Sequence, residues 1–251
     1  MRRRITAGNW KMYKTPQETT AFFDRFNVLT RGAGNCEIVI FPAAIDIPQA
    51  AAAVQDAETQ IGGQNIYWAK EGAFTGEISG EMLLAAGATW VLVGHSERRH
   101  HVAHETDAQV LKKTQAALSA GLNPIVCVGE LPEEHKGGKT NEVLIRQFAA
   151  GVAGLTEEQF ARIVIAYEPV WAIGTGQTAT PEIASNAHKL IRAEAERRFG
   201  EDAAQSLRIL YGGSVKPDNI EGLMAEPEID GTLVGGASLD PESFFKIVKA
   251  A

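Results

Sequence analysis

Eight apolar, β-type runs recur along this chain, at Arg4 to Trp10, Glu37 to Pro42, Gln60 to Ile66, Thr89 to His95, Asn123 to Glu130, Arg162 to Glu168, Leu207 to Gly213 and Gly231 to Ser238. Helix-like segments separate them. Strands that alternate with helices pair in parallel through right-handed crossovers, which makes an α/β fold the expectation. Eight such units in 251 residues match the size of a (β/α)8 barrel, eight parallel strands surrounded by helices. A doubly wound open sheet would use the same units, so the count favours the barrel without proving closure. No low-complexity linker divides the chain, and residues 1–251 are expected to form a single barrel domain.

The helix starts and stops are written in local chemistry. Thr15-Pro16-Gln17-Glu18 combines an N-cap, a proline at the first helical position and a capping box. Thr180-Pro181-Glu182 and Asp240-Pro241-Glu242 repeat the cap-then-proline device, and Gly87, Gly121 and Gly200 follow helical runs as expected C′ residues.

Composition narrows the function. A formal net charge of -7 argues against a nucleic-acid or membrane-surface binder, which would rest on clustered Lys and Arg, so an anionic substrate has to be captured locally. Two cysteines make no disulfide framework; Cys127, inside Pro124-Ile125-Val126-Cys127-Val128, is expected to be a buried reduced thiol. Arg2-Arg3-Arg4 leads straight into a strand-like run, and no segment approaches the roughly 18 apolar residues of a membrane span, so a soluble, cytoplasmic protein is expected.

Polar residues collect at the carboxyl ends of the runs: Asn9 and Lys11 after the first, His95 after the fourth, Glu168 after the sixth and Ser214 after the seventh. In parallel α/β folds these ends are where ligands bind. Four small or branched apolar residues precede Tyr167, Pro169 stops the ladder, and Glu168 is left at the strand's end before an apolar loop and glycines. A carboxylate beside an imidazole and a lysine suits proton abstraction next to a carbonyl, with the cation and donors holding the resulting oxyanion. Neither metal nor cofactor is required. Each residue also has a plainer reading. Glu168 could pair with a nearby cation, Asn9 and Lys11 could be solvated, and His95 could cap the following turn, although Ser96 is the better cap and would free the imidazole.

Gly174-Thr175-Gly176-Gln177-Thr178-Ala179 formally fits a dinucleotide fingerprint, but the glycines come late after the strand and no ribose-binding acid follows about 20 residues on. Tyr211-Gly212-Gly213-Ser214-Val215 and Leu233-Val234-Gly235-Gly236-Ala237-Ser238-Leu239 fit better as an anion grip, because such barrels bind phosphate in the loops after strands seven and eight. His100, His101 and His104 lack a metal-site pattern and read as a solvated helix face.

Six segments, Gly8 to Met12, Gly72 to Glu77, Val93 to Arg98, Tyr167 to Gly176, Tyr211 to Ser214 and Leu233 to Ser238, stand in an order and spacing that resembles the triosephosphate isomerase family across essentially the whole chain. The resemblance implies a TIM barrel that interconverts dihydroxyacetone phosphate and D-glyceraldehyde 3-phosphate through an enediolate, in glycolysis and gluconeogenesis. It implies Glu168 as the base, His95 as the electrophile, Lys11 and Asn9 completing the polar wall, and Gly174, Ser214, Gly235 and Gly236 as the phosphate grip. It further implies Glu97 and Ser96 as supporting residues, Pro169 to Ala179 as a mobile lid, and a homodimer joined through the Gly72 to Glu77 loop. Tyr13, where many relatives have Asn, and Gln177, at a hinge position that is often Lys, depart from the pattern. Two alternatives use the same residues: a non-catalytic phosphometabolite-binding barrel, and another phosphosugar barrel enzyme such as an aldolase, which would need a Schiff-base lysine within a strand.

Overall fold

Each of the eight runs contains a strand. The computed structural model describes residues 2–31, 36–56, 58–174 and 178–251. Its strands are β1 (Ile5–Asn9), β2 (Glu37–Phe41), β3 (Thr59–Gly63), β4 (Trp90–Val93), β5 (Asn123–Val128), β6 (Val164–Tyr167), β7 (Arg208–Tyr211) and β8 (Gly231–Val234). Sequence neighbours pair in parallel, and β8 returns to β1 from Ile5↔Gly231 to Gly8↔Val234, which closes the barrel and excludes the open sheet. Most strands stop short of the apolar runs at their carboxyl ends. There the chain leaves the ladder: Gln64, beyond β3, turns back to donate its amide to the carbonyls of Lys11 and Phe41 at 2.7 and 2.9 Å.

Alternation along the strands sorts the apolar residues into two cores. Ile5, Ala7, Val39, Phe41, Trp90, Leu92, Ile125, Cys127, Val164, Ala166, Leu210 and Leu233 fill the barrel interior. Their neighbours in sequence, such as Ile38, Ile40, Val91, Val93, Ile165 and Ile209, face outward and join the larger core beneath the helices. Both faces are therefore dry, which is why the strands read as unbroken apolar runs.

The helices over each crossover begin as their caps predict. Thr15 accepts from Glu18 N while the Glu18 side chain accepts from Thr15 N, and Thr180 and Asp240 accept from the backbone of Ile183 and Ser243. Gly87, Gly121 and Gly200 take φ of 96°, 99° and 85°, the left-handed region expected of residues that end helices. The first and last long helices, Pro16–Thr30 and Pro241–Ala250, meet through stacked Phe26 and Phe244, 5.5 Å between ring centroids. Each fully buried phenylalanine contributes about 1.5 to 3 kcal/mol of apolar transfer. Cys36 and Cys127 are both buried and free, and burial raises both thiols above their ordinary range. Among the described residues no helix is long and apolar enough to cross a membrane.

One buried polar residue ties stability to pH. His188, on the helix Pro181–Phe199, is fully buried, and its Nδ1–H donates to the Glu228 carbonyl at 3.0 Å. Burial depresses its pKa to about 4. The unfolded chain therefore takes up this proton first, so the stabilisation is complete above the unfolded value near 6.5 and is lost as pH falls towards 4. Urea unfolding at pH 7.5 and pH 5.0, at one protein concentration, should show a pH-dependent loss that is about 2 kcal/mol smaller in His188→Gln than in the native chain. Equal losses would remove His188 as the source.

Candidate active site

The alternation that fills the interior also builds its mouth. In phase with Ile5 and Ala7 comes Asn9; with Val164 and Ala166, Glu168; with Ile125 and Cys127, Gly129; with Leu210, Gly212; and with Leu233, Gly235. Apolar side chains thus give way, at the carboxyl end of the barrel, to two polar side chains and three positions with none. His95 is out of phase with Trp90 and Leu92 and would point outward along a regular strand. Gly94, with φ 69°, breaks the pleat and turns His95 inward.

The two buried groups meet there. His95 Nε2 lies 2.8 Å from Glu168 Oε1, and the Ser96 N–H donates to Glu168 Oε2 at 2.9 Å. The Glu97 N–H donates to His95 Nδ1 at 3.3 Å. His95 therefore caps the turn that follows it, in place of Ser96, and this does not remove it from the site. Occupying the Nδ1 lone pair leaves the ring's proton on Nε2, the nitrogen that faces the cavity.

Burial alone would raise the Glu168 pKa, and it is the largest single influence. His95, the Ser96 N–H and Lys11 together outweigh it, so the carboxyl is held below its ordinary range. For His95, burial pulls downward, and the charge and hydrogen bond of Glu168 together with the Glu97 charge more than reverse it, so its pKa is raised. Both shifts have one source, the contact between the Glu168 carboxylate and the His95 ring.

Lys11 is fixed by its backbone as much as by its charge. Its φ is 54°, unusual for a residue with a side chain, and the conformation is clamped on both sides. Asn9 Oδ1 accepts from Lys11 N at 3.0 Å, while Gln64 donates to the Lys11 carbonyl. The ammonium group is 2.5 Å from Glu97 Oε1 and passes above Gly235, where a Cβ would lie 3.6 Å from Lys11 Cε.

Asn9, Lys11, His95 and Glu168 share one cavity of about 320 Å³ with Gly174, Ser214, Gly235 and Gly236. A 3-10 turn at Gly236–Ser238 begins on its wall, and Ser238 N closes back on the Gly235 carbonyl at 2.8 Å. Lys216, not expected from sequence, also lines it. The fingerprint positions Thr175, Gly176 and Gln177 lie outside the described residues, as does the Gln177 departure. The region about 20 residues beyond the fingerprint is interior to the helix Pro181–Phe199, with no second strand to carry a ribose-binding acid.

Several supports escape a reading by motif. Gly129 and Gly212 make room for the base: a Cβ on Gly129 would fall 1.8 Å from the Glu168 carbonyl oxygen, and one on Gly212 2.9 Å from Glu168 Cγ. Arg99 ties the ends of two strands together, donating to the carbonyls of Gly94 at 2.8 Å and Cys127 at 3.1 Å. Only the in-phase positions of the glycines signal their role, and nothing local marks Arg99. The histidine cluster differs from expectation in one member. His101 and His104 are exposed, but His100 is half-buried, and among the described residues no group of His, Cys, Asp and Glu could hold a metal ion.

Residues 4–251 match the family model described as triosephosphate isomerase. A protein of that name from Solibacter usitatus is 60% identical over 99% of both chains. Namesakes from Citrifermentans bemidjiense and Dictyoglomus thermophilum are 49% and 48% identical, over 99% and 100% of both chains respectively.

Gly212→Ala should push the Glu168 side chain away from His95 and so weaken the main influence that raises the imidazole pKa. An NMR titration of the His95 ring should then move to lower pH, with Glu168→Gln as the limiting case, because removing the anion abolishes the attraction outright. An unmoved titration in both variants would show that the pair does not control the ring.

Proposed function

The chain belongs to the triosephosphate isomerase family, and from that membership together with the geometry of its cavity we propose how its residues interconvert dihydroxyacetone phosphate and D-glyceraldehyde 3-phosphate. Glu168 is the base. Its carboxylate leaves the Ser96 N–H, takes a proton from the carbon beside the substrate carbonyl and returns it to the adjacent carbon. The intermediate is an enediolate. His95 presents Nε2–H to the two substrate oxygens, and Lys11 supplies the positive charge that favours their anionic form, with Asn9 holding the Lys11 backbone.

The electrostatics support a change of roles during this movement. While Glu168 rests on His95 it raises the ring's pKa; once the carboxylate turns to the substrate, burial, the largest influence, and Lys11 both lower it, against the Glu97 charge alone. The imidazole is then a neutral donor, the role established for this family's histidine. Glu97 holds the Lys11 ammonium, and Ser96 holds the resting base through its N–H. One preorganised donor of this kind is worth about 3 to 4 kcal/mol in a transition state.

The phosphate is held by backbone N–H groups at Gly174, Ser214, Gly235 and Gly236, with Lys216 nearby. This local grip suits a protein whose overall charge repels anions. Residues Pro169 to Ala179 act as a lid that keeps water from the enediolate, which would otherwise lose phosphate.

Residues 1–251 act as one barrel domain in a cytoplasmic homodimer. The apolar side chains of Met12, Ile45, Phe74, Met82 and Val102 are exposed, and Met12 and Val102 line a groove that also reaches Asn9, Lys11 and His95. Such a patch on the rim of a site supports a protein partner, and the Gly72 to Glu77 loop of a second copy is the proposed occupant. Neither alternative is favoured: the strands carry no lysine for a Schiff base, and a binding barrel needs no base paired with an imidazole.

The observation that carries the reading is the buried Glu168–His95 pair beside Lys11. In a coupled isomerase assay, Glu168→Asp should lower kcat by about 10²-fold or more, because one methylene withdraws the carboxylate by about 1 Å. Circular dichroism should show the variant folded, and near-normal turnover would remove Glu168 as the base. Lys11→Ala should lose most activity in the same assay; full retention would return Lys11 to a surface role.

A further inference from the structure

A second imidazole faces the segment that carries the base. Glu130, just beyond β5, is fully buried, and its Oε1 accepts from Trp171 Nε1 at 2.7 Å and from the Tyr167 hydroxyl at 3.1 Å. Its Oε2 is buried without a hydrogen-bond partner among the described residues. The Glu130 carbonyl also accepts from Val170 N at 3.2 Å, so one residue fixes both flanks of Glu168 and the start of the proposed lid. Trp171 lies in the 3-10 turn Val170–Ala172, three positions after Glu168.

His135, on the short helix Pro132–Lys136, lies flat on this tryptophan, with ring centroids 4.3 Å apart and planes 17° from parallel. Its Nδ1 is 3.5 Å from Glu130 Oε1 and 3.4 Å from Thr140 Oγ1. The ring thus covers one face of the indole and reaches the carboxylate that holds the indole's N–H.

We propose that His135 is a positioning residue for the isomerase reaction: its stacking on Trp171 and its approach to Glu130 set how firmly the hinge after Glu168 is held, and a proton on its ring tightens that hold. This rests on the reading of Pro169 to Ala179 as a lid. A charged ring adds a cation–π contact with Trp171 and an ion pair with the buried Glu130 carboxylate through Oε1. Histidine is the side chain whose charge changes between pH 5 and 8. The charged groups next to it along the chain are Glu133, Glu134 and Lys136 on its own helix, and Lys139 and Glu142 at the start of the helix Thr140–Gly151. Glu134 is engaged by the Leu131 N–H at 2.8 Å, and the Val170–Ala172 turn brings only neutral side chains. Glu130 is thus the buried anion in reach of the ring.

Two measurements test this on the native protein and on His135→Gln and His135→Arg, with circular dichroism to establish folding. Tryptophan fluorescence titrated from pH 5 to 8 should show a step in the native protein that His135→Gln abolishes, since the stacked ring quenches the indole as it charges. In the isomerase assay, the ratio of native to His135→Gln kcat should fall about fivefold from pH 8 to pH 5.5, as about 1 kcal/mol of added restraint would give. Because the variant shares the native substrate, base and His95, their titrations cancel in that ratio. His135→Arg should keep the low-pH behaviour throughout. A fluorescence step that survives in His135→Gln, or a kcat ratio that is flat with pH, overturns the proposal. Absence of isomerase turnover in the native protein at every pH would instead overturn the underlying reading, while the fluorescence step would still report on the contact.

Discussion

A β-strand sends successive side chains to opposite faces, and closing eight of them into a barrel turns that alternation into a rule about inside and outside. Every other feature of this protein depends on the rule. It puts Val164, Ala166 and Glu168 on one line and Ile165 and Tyr167 on the other, so the same pleat that packs the interior delivers the carboxylate to the mouth. Asn9 arrives from β1 in the same way. His95 is the exception, and a single left-handed glycine corrects its phase.

Charge at the mouth is arranged as a closed circuit in a protein with an excess of acids. Glu168 faces His95, Lys11 faces Glu97, and Glu97 also offers its N–H to the imidazole. Two carboxylates, one ammonium and one titratable ring leave the local charge dependent on where Glu168 rests. Moving one side chain therefore changes the acidity of its neighbour, and no second conformational device is needed to reset the ring.

Much of this was legible in the sequence, for identifiable reasons. The apolar runs, the cap-then-proline helix starts and the paired glycines each follow from local chemistry, and they appear where expected. Strand ends were less legible, because Gln64 leaves the ladder for the distant Lys11 and Phe41 carbonyls and Gly94 turns left-handed, neither of which a local pattern encodes. The reading of Ser96 as the cap failed because the turn starts one residue earlier than its local chemistry suggests: Ser96 is the first helical residue, its N–H is held by a carboxylate 72 positions away, and the His95 side chain takes the capping place. Arg99 and the Glu130–Trp171 contact join segments far apart in the chain, and pairwise contacts of that span are invisible until the fold brings them together.

The three inward glycines, Gly129, Gly212 and Gly235, stand directly above Cys127, Leu210 and Leu233 in the interior. A barrel ordinarily completes such a level with side chains; here that level is left out, and the cavity is an omitted course of the core. A substrate that enters supplies the missing atoms. Occupancy and cohesion of the barrel then become one quantity, because whatever fills the uppermost course binds the folded chain alone and draws the equilibrium towards it.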